Sequence, residues 1–284
     1  EQYGLTHPQR VTKMVLDSVV PQDGPEALYA ASMQHTAYVL SQACAEQSCG
    51  FDPVADLTDV VKRYGIGVGA MDLIVITSIL DPKFEGQGWF PVLDMIHLAA
   101  GGDPGPLSQA IAAVQGGAGL PPSDYSAGLH VATICADLQD APWGDASAPL
   151  AGRIEKAEAT ASQLELAPFD AQTAVGQGIA HACSLWPPSR PNPEPRLRTL
   201  TMPVLLLEGD RDLSSPLAWA QEQATHAPRG KLVVIAGMGH AIQGRNAQGD
   251  AAVQAFLLTP VGGGSSPTDA LVDVPGSPSS RGRS

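Results

Sequence analysis

The stretch Val204-Leu205-Leu206-Leu207-Glu208-Gly209-Asp210-Arg211-Asp212 decides the fold class. Its four consecutive apolar residues are typical of a strand that is covered on both faces, as in a parallel sheet. A helical pattern follows from Ser215-Pro216 to about residue 227, and residues 231–235 (KLVVI) form a second apolar run before a last helix to about residue 258. This strand–helix–strand–helix order predicts an α/β fold.

The remainder of the chain divides into three parts. Residues 10–20 (RVTKMVLDSVV) predict a buried strand, because they are rich in apolar and β-branched residues. Residues 25–198 are mostly helical in pattern, and Asp52-Pro53 is a typical helix start. Residues 261–284 are rich in Gly, Ser and Pro, which predicts a disordered tail.

Composition excludes several classes of function. The chain carries 29 acidic against 16 basic residues, a formal charge of -13, which argues against binding to nucleic acids or to anionic membranes. No apolar stretch reaches the roughly 20 residues of a membrane-spanning helix. The histidines are scattered without a metal-binding spacing, so no metal is predicted. Gly65-Ile66-Gly67-Val68-Gly69 lacks the strand that precedes a dinucleotide loop, so no cofactor is predicted either.

Polar residues follow both late strands. Asp210 and Asp212 come directly after the first strand, and His240 in Gly237-Met238-Gly239-His240 comes after the second. The carboxyl ends of parallel strands lie at one edge of a sheet, where sites are built. Taken singly, such an Asp is commonly a helix cap and such a His a surface residue. Together they predict a carboxylate that orients an imidazole.

Several segments resemble the C-terminal part of α/β-hydrolases. They are GDRDLSSPLAWA (209–220), GMGH (237–240), the opening YGLTHPQRVTKMVLDSVVP (3–21), and TICAD (133–137) with Pro142-Trp143 downstream. Within that superfamily they are similar to secreted tripeptidyl-aminopeptidase-like proteins, which are relatives of proline iminopeptidases. The family order serine, acid, histidine implies that Asp212 is the acid and His240 the base of a catalytic triad. Asp210 then stabilises the loop.

The resemblance also implies a domain organisation. Residues 1–22 would hold the core strand after the nucleophile, residues 23–200 a helical lid, and residues 201–259 the C-terminal hydrolase core. Residues 260–284 would be the disordered tail. Asp137, in the lid, is a candidate for binding the free amine of a peptide substrate.

One motif of the family is missing. The chain has no G-x-S-x-G, and Ser18 lies in a strand-like run without flanking glycines. We therefore expect a C-terminal fragment of a secreted serine hydrolase of aminopeptidase type, inactive alone and needing the N-terminal half of the fold. The alternatives are a fragment of an esterase or lipase-like hydrolase, a non-catalytic binding protein, or one half of a two-chain enzyme.

The four cysteines, Cys44, Cys49, Cys135 and Cys183, include no C-x-x-C pair. Four cysteines allow three disulfide connectivities. We favour Cys44–Cys49 with Cys135–Cys183, which would suit a secreted or cell-envelope protein. Four buried thiols in a cytosolic protein are the alternative.

Overall fold

The computed structural model describes residues 1–80, 89–117, 126–138, 141–191 and 198–260. The strands in these ranges are β1 (Met14–Asp17), β2 (Val204–Gly209) and β3 (Gly230–Ile235), and a 3-10 turn (Pro8–Arg10) precedes β1. Helices α1 to α12 are, in chain order, Gln2–Thr6, Ala30–Gln47, Pro53–Tyr64, Gly67–Leu80, Phe90–Ala100, Gly105–Gly117, Ala127–Asp137, Arg153–Ala161, Ala171–Gly176, Gly178–Leu185, Leu217–Thr225 and Ala247–Leu258.

The three strands form one parallel sheet with β2 at its centre. Leu206 of β2 lies beside Leu16 of β1 and Leu232 of β3. All six residues of β2 are buried, which is why residues 204–207 form a continuous apolar run and not an alternating one. The predicted α/β class is therefore confirmed for this part of the chain.

Helices cover both faces of the sheet. Successive side chains of a strand point to opposite faces. Leu206 accordingly packs with Ala220 of α11 on one face, while Leu205 packs with Phe256 of α12 on the other. The two helices thus fix the sheet edge from which the loops after β2 and β3 emerge.

Helices α2 to α10 lie between β1 and β2 in the chain and have a core of their own. Asp52 begins α3 by accepting hydrogen bonds from the amides of Val54 and Ala55, as predicted for Asp52-Pro53. Gly67 and Gly69 pack closely against Thr173 and Ile111, a helix-packing role for these glycines. The fully buried large side chains of this core include Met33, Leu40, Leu57, Ile74, Leu93, Ile96 and Leu107.

One predicted element has different bounds. The buried strand predicted over residues 10–20 is wrong in length and burial: the strand is Met14–Asp17, and its four residues are partly exposed. Only these four residues pair with β2. The predicted tail, apart from residue 260, lies outside the described residues.

The four cysteines form the favoured disulfides, Cys44–Cys49 and Cys135–Cys183. The first closes the end of α2, and the second joins α7 to α10. Over the described ranges, no helix combines the length and apolar character needed to cross a membrane.

The two disulfides should differ in their contribution to stability. Closing a longer loop removes more entropy from the unfolded chain, and the bridges span 48 and 5 residues. Replacing Cys135 and Cys183 by Ser should lower the free energy of unfolding by about 4 kcal/mol, against about 2 kcal/mol for Cys44 and Cys49. Urea denaturation of the two double variants measures this. A larger loss from the short bridge would contradict it.

Candidate active site

The loop after β2 buries a carboxylate at the carboxyl edge of the sheet. Asp212 is 0% exposed. Its Oδ1 accepts hydrogen bonds from the amides of Ser214 (2.7 Å) and Ser215 (3.0 Å), and its Oδ2 accepts one from the Ser215 hydroxyl (2.8 Å). This local pattern, an Asp bonded to amides two and three residues on, is a turn that Asp forms readily. It fixes the carboxylate before α11 begins.

The loop after β3 packs directly against the loop after β2. The amide of Gly237 donates to Asp210 Oδ1 (2.6 Å), and the amide of Arg211 donates to the Met238 carbonyl (2.9 Å). A Cβ on Gly209 would overlap the carbonyl oxygens of Met238 and Gly239. Only glycine therefore allows the two loops to approach this closely. Asp210 connects them, in agreement with its predicted role in the loop.

The two loops bring the predicted acid and base together. His240 Nδ1 lies 2.8 Å from Asp212 Oδ2, and the Ser215 hydroxyl is 3.2 Å from the same nitrogen. An ionised carboxylate only accepts hydrogen bonds, so Nδ1 carries the proton and Nε2 is the free base. The imidazole is 31% exposed, whereas its carboxylate partner is fully buried. This is the geometry that a Ser-His-Asp mechanism requires of its acid and base.

The contact between Asp212 and His240 lowers the pKa of the carboxyl group and raises the pKa of the imidazole. Burial alone would raise the pKa of Asp212, but hydrogen bonds from His240 and Ser215 and the imidazolium charge lower it. Burial alone would lower the pKa of His240, but the hydrogen bond and charge of Asp212, with a smaller contribution from Asp17, raise it. The buried carboxylate thus stabilises a protonated imidazole.

Replacing Asp212 by Asn should lower the pKa of His240. The variant keeps the shape of the side chain but removes the negative charge, leaving burial as the dominant influence on the imidazole. The measurement is an NMR pH titration of His240 in both proteins. An unchanged pKa would show that Asp212 does not control this histidine.

A helix from the middle of the chain supports both loops. The hydroxyl of Ser78, near the end of α4, accepts a hydrogen bond from the Leu213 amide (3.2 Å). The carbonyl of Ser78 accepts one from the His240 amide (3.1 Å). Arg245 adds a clamp by donating to the carbonyls of Ile79 (2.7 Å) and His240 (2.9 Å). The end of α4 therefore holds the backbone on either side of the acid–base pair.

Helix α2 and the residue before it also contact the loop after β2. Tyr29 donates its hydroxyl to the Ser214 carbonyl (3.0 Å), and His35 Nε2 lies 2.7 Å from the Asp210 carbonyl. The buried guanidinium of Arg211 pairs with Glu46 on α2 (2.6 Å). The loop that carries Asp212 is thus held from the sheet, from α2 and from α4.

Gly239→Ala should disturb the histidine loop. The added Cβ would overlap the Ser78 carbonyl, which already accepts the His240 amide. We expect a loss of about 1–3 kcal/mol in the free energy of unfolding, a typical cost of overpacking, and an altered NMR signal of the His240 Nδ1 proton. The control is Gly128→Ala in α7, where the new Cβ would meet nothing within 4 Å. Equal effects in both variants would contradict this.

The other predicted residues lie apart from this pair. Asp137 ends α7, is exposed, and lines a cavity of about 580 Å³ together with Glu1, Gln22 and Gly24; the residues lining that cavity include neither Asp212 nor His240. Ser18 follows β1, and its hydroxyl accepts the Ala241 amide (2.7 Å). Within the described residues, no cluster of three or more His, Cys, Asp or Glu side chains could hold a metal ion.

Sequence reasoning missed the supporting residues of the pair. Ser215 was used only as a helix start, although its position three residues after Asp212 is the spacing of a local hydroxyl–carboxylate bond. Nothing in the sequence indicates that Ser78 supports the pair, because the hydroxyl of a serine in an apolar helix usually bonds to a carbonyl of its own helix. It does so here, donating to the Val75 carbonyl, while its oxygen also accepts from the distant Leu213.

A carboxylate after the central strand of a parallel sheet and a histidine after the next strand is also the arrangement at the C-terminal end of α/β-hydrolases. Residues 167–265 match the family model described as TAP-like protein, so this part of the chain is similar to that family of the α/β-hydrolase superfamily. The search of curated proteins found no match.

Proposed function

We propose that this chain supplies the acid and the base of a secreted serine peptidase of the TAP-like group. The observation that carries the proposal is the 2.8 Å contact between His240 Nδ1 and the buried carboxylate of Asp212. The family match covers both residues, which supports a hydrolase.

The mechanism follows from the orientation of the ring. With Nδ1 held by Asp212, His240 Nε2 takes the proton from a serine hydroxyl as the oxygen attacks the acyl carbon. The imidazolium then passes that proton to the leaving amine, and an acyl-enzyme forms. Water then attacks the acyl carbon and gives up a proton to Nε2, which passes it to the serine oxygen as the acyl–serine bond breaks and the acid is released. Asp212 stays ionised and stabilises the imidazolium throughout.

The serine would come from the N-terminal half of a hydrolase fold. Several described serines lie near the pair; Ser215 has its hydroxyl on the pair itself and Ser18 has its hydroxyl on the residue after His240, but neither suits the role. Ser215 lies on the Nδ1 side of the ring, and its hydroxyl donates to Asp212. Ser18 is engaged with the Ala241 amide. The chain also lacks G-x-S-x-G, the turn that exposes a nucleophile in this superfamily.

The outer edge of β1 is where we propose that the N-terminal half joins. Among the described strands, β1 and β3 are both edge strands that pair only with β2, and the proposal takes β1 because it precedes the other two in the chain. Its four residues, Met-Val-Leu-Asp, are partly exposed, whereas the central strand is fully buried. An apolar strand with an unpaired edge favours addition of another strand.

The substrate would be a peptide cleaved near its N-terminus. In this proposal helices α2 to α10 form the lid, and Asp137, on the wall of the 580 Å³ cavity, attracts a free amine. The two disulfides suit an extracytoplasmic location. Acidic residues also predominate over the whole chain.

Complementation tests the proposal. The chain is assayed on aminoacyl- and tripeptidyl-chromophore substrates and on short acyl esters, alone and mixed with the N-terminal half of a TAP-like hydrolase that carries G-x-S-x-G. We expect activity only in the mixture, with peptide-type substrates preferred. His240→Ala should reduce kcat by on the order of 10⁴-fold or more. The exposed His181→Ala is the matched control and should leave kcat unchanged.

Each other outcome has a definite meaning. Activity of the chain alone would contradict the inference that its nucleophilic serine lies outside this chain. A preference for acyl esters would replace the peptidase by an esterase. A mixture that forms a stable complex, yet is inactive, would favour a non-catalytic binding protein.

A further inference from the structure

The carboxylate of Asp17, the last residue of β1, contacts the backbone that follows His240. Its Oδ1 accepts a hydrogen bond from the Ile242 amide (3.0 Å), and its Oδ2 accepts one from the Gln243 amide (2.8 Å). The side-chain amide of Gln243 also donates to Oδ2 (3.2 Å). Hydrogen bonds to an ionised carboxylate are stronger than those between neutral groups. The end of β1 therefore holds two consecutive amides of the histidine loop.

Ser18 extends this contact to a third amide. Its hydroxyl oxygen accepts a hydrogen bond from the Ala241 amide (2.7 Å), and the hydroxyl itself donates to Asp17 Oδ1 (3.4 Å). The three amides that follow His240 in the chain are thus bonded to two neighbouring side chains. We call these two side chains, Asp17 and Ser18, the β1 clamp.

The backbone is in an unusual conformation on both sides of the β1 clamp. Ser18 has a φ of 58° and Ala241 a φ of 65°, in the left-handed region that residues with a side chain rarely adopt. Such a conformation is unfavourable and persists only where the surrounding structure imposes it. The hydrogen bond from the Ala241 amide to the Ser18 hydroxyl joins the two residues and is a contact of this kind.

The β1 clamp is attached to the central strand of the sheet. The Ser18 amide donates to the Leu207 carbonyl (3.0 Å). The Val19 amide donates to Oε2 of Glu208 (2.9 Å), whose side chain is fully buried. The strand that leads into the loop of Asp212 therefore also fixes the segment that holds the loop of His240.

We propose that Asp17 is a positioning residue for His240: its carboxylate, with the Ser18 hydroxyl, holds the backbone after the histidine so that the imidazole stays on Asp212. The proposal rests on the acid–base role of Asp212 and His240. Ser78 and Arg245 bond the backbone groups of His240 itself. The β1 clamp fixes the direction in which the chain leaves the histidine.

The charge of Asp17 has a second effect on the imidazole. Burial lowers the pKa of His240, the hydrogen bond and charge of Asp212 raise it, and the charge of Asp17 raises it further, against an opposing contribution from Arg245. Removing the charge of Asp17 should therefore lower the pKa of His240. A charge acts on the imidazole whether or not the loop is held in place, so the test must measure positioning separately.

NMR of the intact chain tests the proposal with Asp17→Asn. This variant keeps the size of the side chain, but its NH₂ group cannot accept a hydrogen bond. Hydrogen exchange of the Ile242 and Gln243 amides should become about tenfold faster or more, as expected when a hydrogen bond to a charged group is lost. Exchange of the His240 Nδ1 proton should also become faster, because the ring is held less firmly on Asp212, and the pKa of His240 should fall.

Ser18→Ala separates positioning from charge. It removes the acceptor of the Ala241 amide and leaves every charged group in place. It should speed the exchange of that amide and of the His240 Nδ1 proton. The matched control is Asp52→Asn, since Asp52 likewise accepts two backbone amides, at the start of α3. The control should leave the exchange of the Nδ1 proton and the pKa of His240 unchanged.

Three results would overturn the proposal. One is unchanged exchange of the His240 Nδ1 proton in both Asp17→Asn and Ser18→Ala. Another is a lower pKa of His240 in Asp17→Asn with unchanged Nδ1 exchange, since Asp17 would then act through its charge alone. The third is an equal effect of Asp52→Asn on His240. An error in the acid–base pair itself appears elsewhere, as an unchanged pKa of His240 in Asp212→Asn.

Discussion

The buried carboxylate of Asp212 is the constraint on which the rest of the site depends. An ionised carboxylate removed from water costs several kcal/mol unless hydrogen bonds replace its hydration. Here two amides and a hydroxyl from the turn, and the ring of His240, supply those bonds. The loop between β2 and α11 can adopt few other conformations without leaving this charge unsatisfied. The position of the histidine follows from that of the carboxylate.

Close contacts between backbone segments connect the loop that carries Asp212 to the histidine loop and to α4. Gly209 lets the loops after β2 and β3 touch, and Gly239 lets the histidine loop rest on the Ser78 carbonyl of α4. Because α4 belongs to the helical region between β1 and β2, that region is hydrogen-bonded to the backbone of both His240 and Leu213.

The elements nearest the site were the most predictable from sequence. The apolar run of β2 predicts a buried parallel strand. Because the carboxyl ends of parallel strands lie at one edge of a sheet, the positions of Asp212 and His240 after two such strands predict that they meet. The network behind them was not predictable, because Glu208 reads as a polar residue ending a strand and Ser78 as a serine within an apolar helix. Their partners, Val19 for Glu208 and Leu213 for Ser78, lie 189 and 135 residues away in the chain. Pairing with β2 also confined β1 to fewer residues than its β-branched composition indicated.

The cavity beside Asp137 was less predictable from sequence than the acid–base pair. Its lining comes from α1, the segment after β1 and the end of α7, so its shape depends on helices whose packing no local pattern specifies. The acid–base pair, in contrast, is set by two strand ends and short loops. The shape of this cavity is therefore less predictable from sequence than the acid–base pair.

Covalent labelling with a fluorophosphonate tests the central claim most directly, since this reagent reacts with a serine that a neighbouring base activates. The chain is incubated with the reagent alone and with an N-terminal half carrying G-x-S-x-G, and the modified residue is found by mass spectrometry. The account predicts no labelling of the chain alone and modification of the supplied serine in the mixture, dependent on His240. Labelling of Ser18 or Ser215 in the chain alone would contradict it.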